Sequence, residues 1–236
     1  FQGFYGLPIV VIPPRRPNRR KQLPTRYFAT LEDKFRAIAA DVHERFASGQ
    51  PMLIGTKTID ESEVLAEHFR QLEIPHELLN GKQDRTEAAI VAAAGEDHAV
   101  TIATNMAGRG TDIKLNKAAE AAGGLHVIQT QRQDSARVDR QLVGRCGRQG
   151  QPGSHQCFVS AEDQLIAGDS LSLRMKKRCS GTAQVAGVFD REVDELQDQL
   201  ESRGYQQRLD LYRQDQWLDD VLSKVAARDH QPVGSL

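Results

Sequence analysis

The sequence predicts an α/β fold, a parallel β-sheet with helices on both faces, followed by a long α-helical extension. The first observation is that short apolar runs alternate with stretches of helical periodicity between residues 30 and 103, which gives three helix-to-strand crossovers. The second is that apolar residues at 183–228 recur at three, four or seven positions, the spacing of a long amphipathic helix. Lapses near residues 204 and 215 predict one or two breaks in that helix.

The chain begins with a β-branched run at 7–12 that ends at two prolines, and it predicts a strand entering the sheet domain. A basic cluster follows at 15–21. Two interpretations of this cluster stay open, a solvated turn or a contact with an acidic partner or an acidic lipid surface. Residues 1–3 resemble the end of a protease-cleaved tag and are not expected to belong to the fold.

Each crossover has recognisable start and stop signals. Thr30, with Asp33 three residues later, is predicted to cap a first helix that Gly49 ends, and Asp60 is predicted to cap a second helix. A third helix is predicted over 85–94. Apolar runs predict the strands at 52–56, 76–80 and 99–103.

The sheet domain is expected to end near residue 168. A short helix is predicted at 117–122, strands are predicted at 125–129 and 155–160, and a helix starting at Asp134 or Ser135 is expected to carry two arginines. The predicted segments are the sheet domain at 1–168, a linker at 169–182 that could also be a short helix and turn, a helical scaffold-like segment at 183–229 and a frayed tail at 230–236.

The two arginines, Arg145 and Arg148, each lie beside a glycine in the sequence QLVGRCGRQG at 141–150. On a helix their side chains would share one face, and a guanidinium group binds phosphate oxygens through a planar fork of donors. A pair aimed at one point can neutralise charge that develops on a transferred phosphoryl group. An isolated GRxGR is more often a surface loop, so a second segment is needed to favour a site.

That second segment is the glycine-rich sequence TNMAGRGTDI at 104–113, which follows the predicted strand at 99–103. In open α/β sheets, a strand that ends in a glycine-rich turn and then an acid presents backbone amides to phosphate and a carboxylate to ribose hydroxyls. The two segments together predict a nucleotide-binding site.

These two segments resemble motifs V and VI of the superfamily 2 ATPases, and TIATNMAGRGTDI followed by GGLHVI and GRQG resembles the SecA preprotein translocase ATPase family in particular. The resemblance implies the second RecA-like half of a SecA motor with part of its helical scaffold. Departures from the family pattern imply a diverged paralogue. The other similar segments are IVVIPPRRPNRR at 9–20, GQPMLIGTKTIDESE at 49–63, LLNGKQDRTEAAIVAAAG at 78–95, QTQRQDSARVDRQL at 129–142 and ESRGY at 201–205. The departures are at Gln131, Gln133, Val143 and 213–216.

The resemblance implies two kinds of site residue. Those that act on the phosphates are the arginine fingers and a sensing residue, Arg145, Arg148 and Gln141. Those that bind the nucleotide are Gly108, Gly110 and Asp112. ATP or ADP would lie in the cleft with a first nucleotide-binding domain, which would hold most of the Mg²⁺ ligands.

The resemblance also implies partners and a location. The partners would be that first nucleotide-binding domain, a SecYEG-type channel and unfolded preproteins. The protein would be cytoplasmic and associated peripherally with the inner face of the plasma membrane. No specific nucleic acid is expected as a partner.

Composition limits the classes of function. A formal net charge of −1 and an aromatic content of 6% argue against a dedicated nucleic-acid binder. Three cysteines without CxxC spacing indicate neither a disulfide framework nor a zinc site. Residues 1–236 contain no run of eighteen apolar residues, the length that would indicate a membrane span.

Two other functions stay open at this point. The same motifs would suit the second half of a nucleic-acid helicase. Residues 1–236 contain no GxxxxGK[ST] loop and no strand ending in an Asp-Glu pair, so a regulatory module that keeps a phosphate pocket without hydrolysing ATP is also compatible. The favoured interpretation is the second half of a SecA motor. On it, the GxxxxGK[ST] loop and the Asp-Glu pair belong to the first half, and this fragment is inactive alone.

Overall fold

The computed structural model describes residues 6–79, 87–104, 111–179 and 184–229. The strands are β1 Arg20–Gln22, β2 Arg26–Phe28, β3 Met52–Thr56, β4 Glu77–Leu79, β5 Val100–Thr104, β6 Leu125–Gln129 and β7 Gly153–Ser160. The helices are α1 Leu31–Ala47, α2 Ile59–Gln71, α3 Glu87–Ala93, α4 Lys117–Ala121, α5 Ala136–Val143, α6 Ser170–Lys177 and α7 Asp190–Asp229, with a 3₁₀ turn at Arg148–Gly150.

The strands form one sheet in the order β1-β7-β6-β3-β5-β4, and β2 also pairs with β7. Every pair between these strands is parallel. β1 and β2 lie one after the other along β7, with Arg20 opposite Gly153 and Phe28 opposite Ser160. They therefore act as one interrupted edge strand, and the predicted parallel α/β fold is confirmed.

Helices cover both faces of the sheet, as the crossovers predicted. On one face α1 and α2 pack against alternate strand residues, for example Met52, Ile54 and Phe158. On the other face Leu53, Val127 and Ile113 belong to a second cluster with residues of α3. Both clusters consist of side chains that are almost fully buried, so burial of apolar area on both faces holds the sheet.

A third apolar cluster joins the start of α7 to the sheet. Phe189 and Val193 pack with Tyr27 of β2, and the rings of Tyr27 and Phe189 meet edge to face at 5.2 Å. Met175 of α6 belongs to the same cluster. The segment at 169–182 therefore contains a packed helix, which agrees with the short helix and turn that the sequence also allowed. The predicted domain boundaries stay a prediction.

The predicted strand at 7–12 was wrong. Residues 6–14 have no regular secondary structure, and the side chains of Leu7 and Val11 are 59% and 87% exposed. The edge of the sheet is formed instead by β1 and β2. β1 has the sequence RKQ, so only backbone pairing with β7 identifies it as a strand.

Two details of the helices also differ from the predictions. Thr58, not Asp60, caps α2, because Thr58 Oγ1 accepts a hydrogen bond from Glu61 N at 3.1 Å. The predicted breaks in α7 are absent from residues 190–229, which form one helix through Gly204. A glycine inside a helix costs only about 1 kcal/mol relative to alanine, which is too little to end it. The predicted N-cap Thr30 is confirmed, since its side chain accepts from Asp33 N.

None of the helices in the described part of the chain is long and apolar enough to cross a membrane.

Lys34 of α1 and Asp163, just after β7, form an ion pair in which both side chains are almost fully buried. Asp163 also accepts a hydrogen bond from Ser160 N at 2.8 Å. Burial raises the pKa of Asp163, and the ammonium group of Lys34 opposes that rise. The pair ties α1 to the end of β7, so removing one partner leaves a buried charge without its counterion.

We expect Lys34→Met to lower the free energy of unfolding by about 3–5 kcal/mol, because Asp163 would stay buried without a cation. Adding Asp163→Leu should recover most of that loss. Urea denaturation of the 236-residue chain measures both values. Arg191→Met, which removes an exposed ion pair with Glu195, is the control and should cost less than about 1 kcal/mol. Equal costs at the two sites would contradict the prediction.

His126 of β6 is fully buried, and its Nδ1 lies 2.7 Å from Ser154 Oγ. Burial, and then the charge of Arg45, lower the pKa of His126 to about 3. In the unfolded chain the pKa of a histidine is near 6.5. Between about pH 3 and pH 6.5 the unfolded chain therefore binds more protons than the folded chain. The contribution of His126 to stability is therefore complete above about pH 6.5 and is lost as the pH falls towards 3.

We expect His126→Gln to flatten the fall of the free energy of unfolding below pH 6.5. The slope removed is at most about 1.4 kcal/mol per pH unit, which is one proton's linkage. Urea denaturation between pH 4 and 7 measures it. His43→Gln, at an exposed position of α1, should keep the original slope. An unchanged slope in His126→Gln would show that His126 is protonated in the folded chain.

Candidate functional site

The two arginines lie beyond a helix rather than on it, which corrects the prediction. α5 ends at Val143 with Gly144 as its C-cap, and Arg145 and Arg148 follow in residues 144–150, here named the arginine turn. The turn needs glycine at Gly147, where φ is +67° and a Cβ would lie 2.8 Å from Arg20 Cβ. A left-handed backbone there turns the chain, so the two side chains reach the same target from different directions.

Arg148 pairs with Asp112, one of the predicted site residues. Arg148 Nη1 lies 2.6 Å from Asp112 Oδ1, and Arg148 Nε donates to Gly144 O at 2.9 Å. The side chains of Arg148 and Asp112 are 38% and 44% exposed, so both groups remain open to a ligand. The guanidinium is oriented by the end of α5 and neutralised by a carboxylate that solvent can reach.

Arg145 reaches the residue before Asp112. Its Nη1 donates to Thr111 O at 2.8 Å, and the side chain is partly buried. Arg145 and Arg148 therefore converge on the segment Thr111–Asp112, from sequence positions more than thirty residues away. The structure thus brings together three of the predicted site residues.

The arginine turn lies at the amino-terminal edge of the parallel sheet. Cys146 Sγ is 3.4 Å from Ser154 O at the start of β7, and a Cβ at Gly147 would touch Arg20 at the start of β1. Because α5 runs back from the end of β6, its own end must lie near the beginnings of the strands. The turn therefore belongs to the edge where strands begin.

The segment that contains Asp112 returns to this same edge. Asn116 N donates to Gly95 O, which precedes β5, and Asn116 Nδ2 donates to Asp97 Oδ1 at 2.8 Å. In the sequence, Asp112 lies eight residues after the end of β5 at Thr104. In the structure, Asp112 meets Arg148 at the amino-terminal edge of the sheet, where β5 begins.

Two further arginines lie against the arginine turn. Arg16 Nη1 donates to Gln149 O at 3.2 Å, and Arg20 Nη1 donates to Val143 O at 3.2 Å. Both belong to the basic cluster at 15–21, for which the sequence left two interpretations open. Their contacts join residues more than 120 positions apart, so no local pattern identified them as neighbours of the site.

Cys146 lies between the two site arginines but is a packed thiol. It is 2% exposed, and its Sγ donates to Val143 O at 3.3 Å. Burial raises the pKa of Cys146 to about 11, against the smaller opposing effects of Arg20 and Arg148. Cys146 therefore fills space under the turn and is not a nucleophile.

Three predicted site residues remain. Gln141 lies in α5 with an exposed side chain. Gly108 and Gly110 lie outside the described residues. In the parts of the chain that the structure describes, no three His, Cys, Asp or Glu side chains are grouped as metal ligands.

The architecture is shared with solved helicase-type structures. The chain resembles the DEAD-box protein SrmB of E. coli, solved with the regulator RraA, with a TM-score of 0.50, 20% identity and coverage of 66% of this chain and 84% of that one. It also resembles the yeast DEAD-box splicing factor Prp28, with a TM-score of 0.51, 21% identity and coverage of 77% and 37%. At this identity the likeness shows the fold alone, which is RecA-like.

A family model, the SecA P-loop domain, matches residues 17–122 and 116–179. The chain belongs to the SecA family. The "Protein translocase subunit SecA 2" of Rhodopirellula baltica is 45% identical over 208 residues, which are 87% of this chain and 32% of that protein. SecA 2 of Geobacillus thermodenitrificans is 41% identical over 228 residues, 95% of this chain and 29% of that protein. SecA 3 of Magnetococcus marinus is 52% identical over 161 residues, 68% and 24%.

The chain thus spans between about a quarter and a third of the length of these SecA relatives. Arg145, Arg148 and Asp112 all lie within the residues that the SecA P-loop domain matches.

We expect Cys146 to resist thiol reagents in the folded chain. A pKa raised from 9 to about 11 lowers the thiolate fraction near pH 8 roughly 100-fold, and burial blocks access as well. Cys179, which is partly exposed, should react first, so Cys179→Ser should leave a chain that reacts only after urea unfolds it. The measurement is the absorbance change with a disulfide reagent. Fast reaction of Cys146 in native Cys179→Ser would show an activated thiol.

Proposed function

We propose that this segment is the second, finger-bearing nucleotide-binding half of a SecA-type protein-translocating ATPase. The observation that carries the proposal is the convergence of Arg145 and Arg148 on Thr111–Asp112, in residues that the SecA model matches. ATP would lie between the arginine turn and a first nucleotide-binding half. Arg145 and Arg148 would act as arginine fingers, and Asp112 would bind the ribose.

The donor set at the arginine turn fits a polyphosphate. Arg145 and Arg148 each donate an N–H group to a main-chain carbonyl oxygen, which orients the guanidinium. The ion pair between Arg148 and Asp112 is exposed, and such a pair contributes only about 0–1 kcal/mol. A triphosphate can therefore displace the carboxylate from Arg148 at little cost.

Displacement of Asp112 from Arg148 by a triphosphate would give both side chains a partner on the nucleotide. Arg148 would move from a carboxylate to the phosphoryl group that is transferred, and Asp112 would be released to accept hydrogen bonds from the ribose hydroxyls. Bound ATP would supply the phosphoryl group and Mg²⁺ would neutralise part of its charge, with the ion held mainly by the first half. The contribution of this chain would be electrostatic, through positioned guanidinium groups.

A protein-translocating motor is favoured over a nucleic-acid helicase for two reasons. The relatives that match over most of the chain are named as protein translocase subunits. In addition, α7 lies over the carboxyl edge of the sheet beside β6, where Gln197 Nε2 donates to Gln133 O at 2.7 Å. Open α/β sheets usually bind their ligands at that edge. Here a helix of the chain itself occupies part of it.

The wider role follows from the family. In a longer chain with both nucleotide-binding halves, the proposed cycle of ATP binding and hydrolysis would move unfolded preproteins through a SecYEG-type channel. The protein would work in the cytoplasm and bind the inner face of the plasma membrane peripherally. A regulatory module would keep the arginine turn but take no part in hydrolysis. Replacing Arg148 would then leave the ATP turnover of the joined protein unchanged.

We expect Arg148→Ala to lower kcat for ATP by about 10³-fold or more in a protein that joins this segment to a first nucleotide-binding half with a phosphate-binding loop. The reason is the loss of a positive charge that acts on the transition state. Steady-state phosphate release measures kcat, and circular dichroism checks folding.

Arg191→Ala is the matched control, because Arg191 is an exposed arginine with a surface ion pair on α7. It should leave kcat within about twofold. An unchanged kcat in Arg148→Ala would remove Arg148 from the mechanism and would favour the regulatory module.

A further inference from the structure

The start of α5 is held by one buried carboxylate. Asp139 is 7% exposed, and its Oδ1 accepts hydrogen bonds from Gln129 Nε2 and Gln133 N, both at 3.0 Å. Its Oδ2 accepts from Gln197 Nε2 at 2.7 Å and lies 3.0 Å from Arg132 Nε. The residue thus joins β6, the loop after β6, α5 and α7 at a single point.

Gln197 is the contribution of α7 to this junction. It is 1% exposed, and its Nε2 donates both to Asp139 Oδ2 and to Gln133 O at 2.7 Å. Its Oε1 accepts from Arg132 Nη2 at 2.8 Å. A buried amide with its donor and acceptor atoms all in use is fixed in orientation, because rotation would leave buried polar groups without partners.

Glu201, one turn further along α7, reaches the first residue of α5. Its Oε2 accepts from Ala136 N at 3.3 Å. The N-cap residue of α5, Ser135, makes no side-chain capping hydrogen bond of its own. The carboxylate of Glu201 therefore satisfies a free N–H group at the positive end of the helix dipole, which is the role of a cap supplied by another helix.

The far end of α5 carries the arginine turn. Val143 O accepts from Arg20, and Gly144 O accepts from Arg148 Nε at 2.9 Å. α5 has only eight residues, so its two ends are about 12 Å apart and it moves as one rigid piece. The position of Arg148 is thus fixed by contacts at Gly144 and Asp112 and, through α5, by α7.

We propose that Gln197 and Glu201 of α7 are positioning residues for the arginine turn. They fix the amino end of α5, and α5 sets where Arg148 and Arg145 stand relative to the nucleotide. The proposal rests on the proposed function, since it assigns the two residues to the finger arginines of that site. It predicts that changes in α7 act on catalysis through Arg148 and on nucleotide affinity only weakly.

The test uses the longer protein that joins this segment to a first nucleotide-binding half. Gln197→Leu removes the donor and acceptor and keeps the apolar volume. We expect kcat for ATP to fall about 10-fold while KM changes less than about threefold, because the fingers act in the transition state. Gln199→Leu, at an exposed position two residues along α7, is the matched control and should leave both constants unchanged.

A double-mutant cycle separates positioning from simple destabilisation. In an Arg148→Ala background, Gln197→Leu should lower kcat by less than about twofold further, because the group it positions has gone. Glu201→Ala, a milder change at a partly exposed residue, should lower kcat two- to threefold with the same dependence on Arg148. All assays are done below the temperature at which any variant unfolds. If Gln197→Leu does not fold, the comparison of Glu201→Ala with and without Arg148→Ala decides the question.

The outcomes distinguish the two proposals. If Arg148→Ala leaves kcat unchanged, the proposed function fails and the positioning role fails with it. If Arg148→Ala lowers kcat but Gln197→Leu and Glu201→Ala leave it unchanged, only the positioning proposal is overturned. It is also overturned if their effects multiply fully with that of Arg148→Ala, since they would then act independently of the finger.

Discussion

The parallel direction of the strands is the constraint on which the rest of the structure depends. Because every strand enters the sheet from the same side, the chain must cross from one edge to the other between successive strands. Residues that follow a helix therefore gather at the amino edge, and residues that follow a strand gather at the carboxyl edge. The arginine turn and Asp112 meet at the first edge, and α7 packs over part of the second.

The chemistry of the site depends on how its arginines are held. Each of the four guanidinium groups donates to a main-chain carbonyl oxygen, namely at Gln149, Val143, Thr111 and Gly144. A carbonyl group orients a guanidinium without cancelling its charge, whereas a buried carboxylate would do both. Arg148 also pairs with the carboxylate of Asp112, which is exposed and exchangeable. A ligand rich in phosphate can therefore replace this carboxylate on Arg148.

The sequence predicted the parts of the fold that depend on local patterns and missed those that depend on distant contacts. Buried strands such as β6, at Leu125–Gln129, carry a local concentration of apolar residues, here Leu125, Val127 and Ile128, and β6 was predicted with its bounds. β1 was missed because its sequence, RKQ, becomes a strand only by pairing with β7. The apolar run at 7–12 was predicted as a strand that enters the sheet domain, but it is exposed and forms none. Motif wording singled out Arg145, Arg148 and Asp112 as candidates, and the structure brings them together. Their location at the amino edge was not predicted, because it depends on contacts of Arg145 and Arg148 with Thr111–Asp112, more than thirty positions away in the sequence.

The short helix α5 connects the two edges that these constraints separate. Its amino end is fixed by the buried carboxylate of Asp139, which several groups share, and its carboxyl end continues into the arginine turn. Buried hydrogen-bond networks of this kind have discrete arrangements, since an intermediate position would leave polar groups unpaired. A displacement of α7 would therefore move α5 as a unit or leave it in place. With α5 between the two edges, the proposed positioning makes the geometry of Arg145 and Arg148 at one edge dependent on α7, which packs against the other.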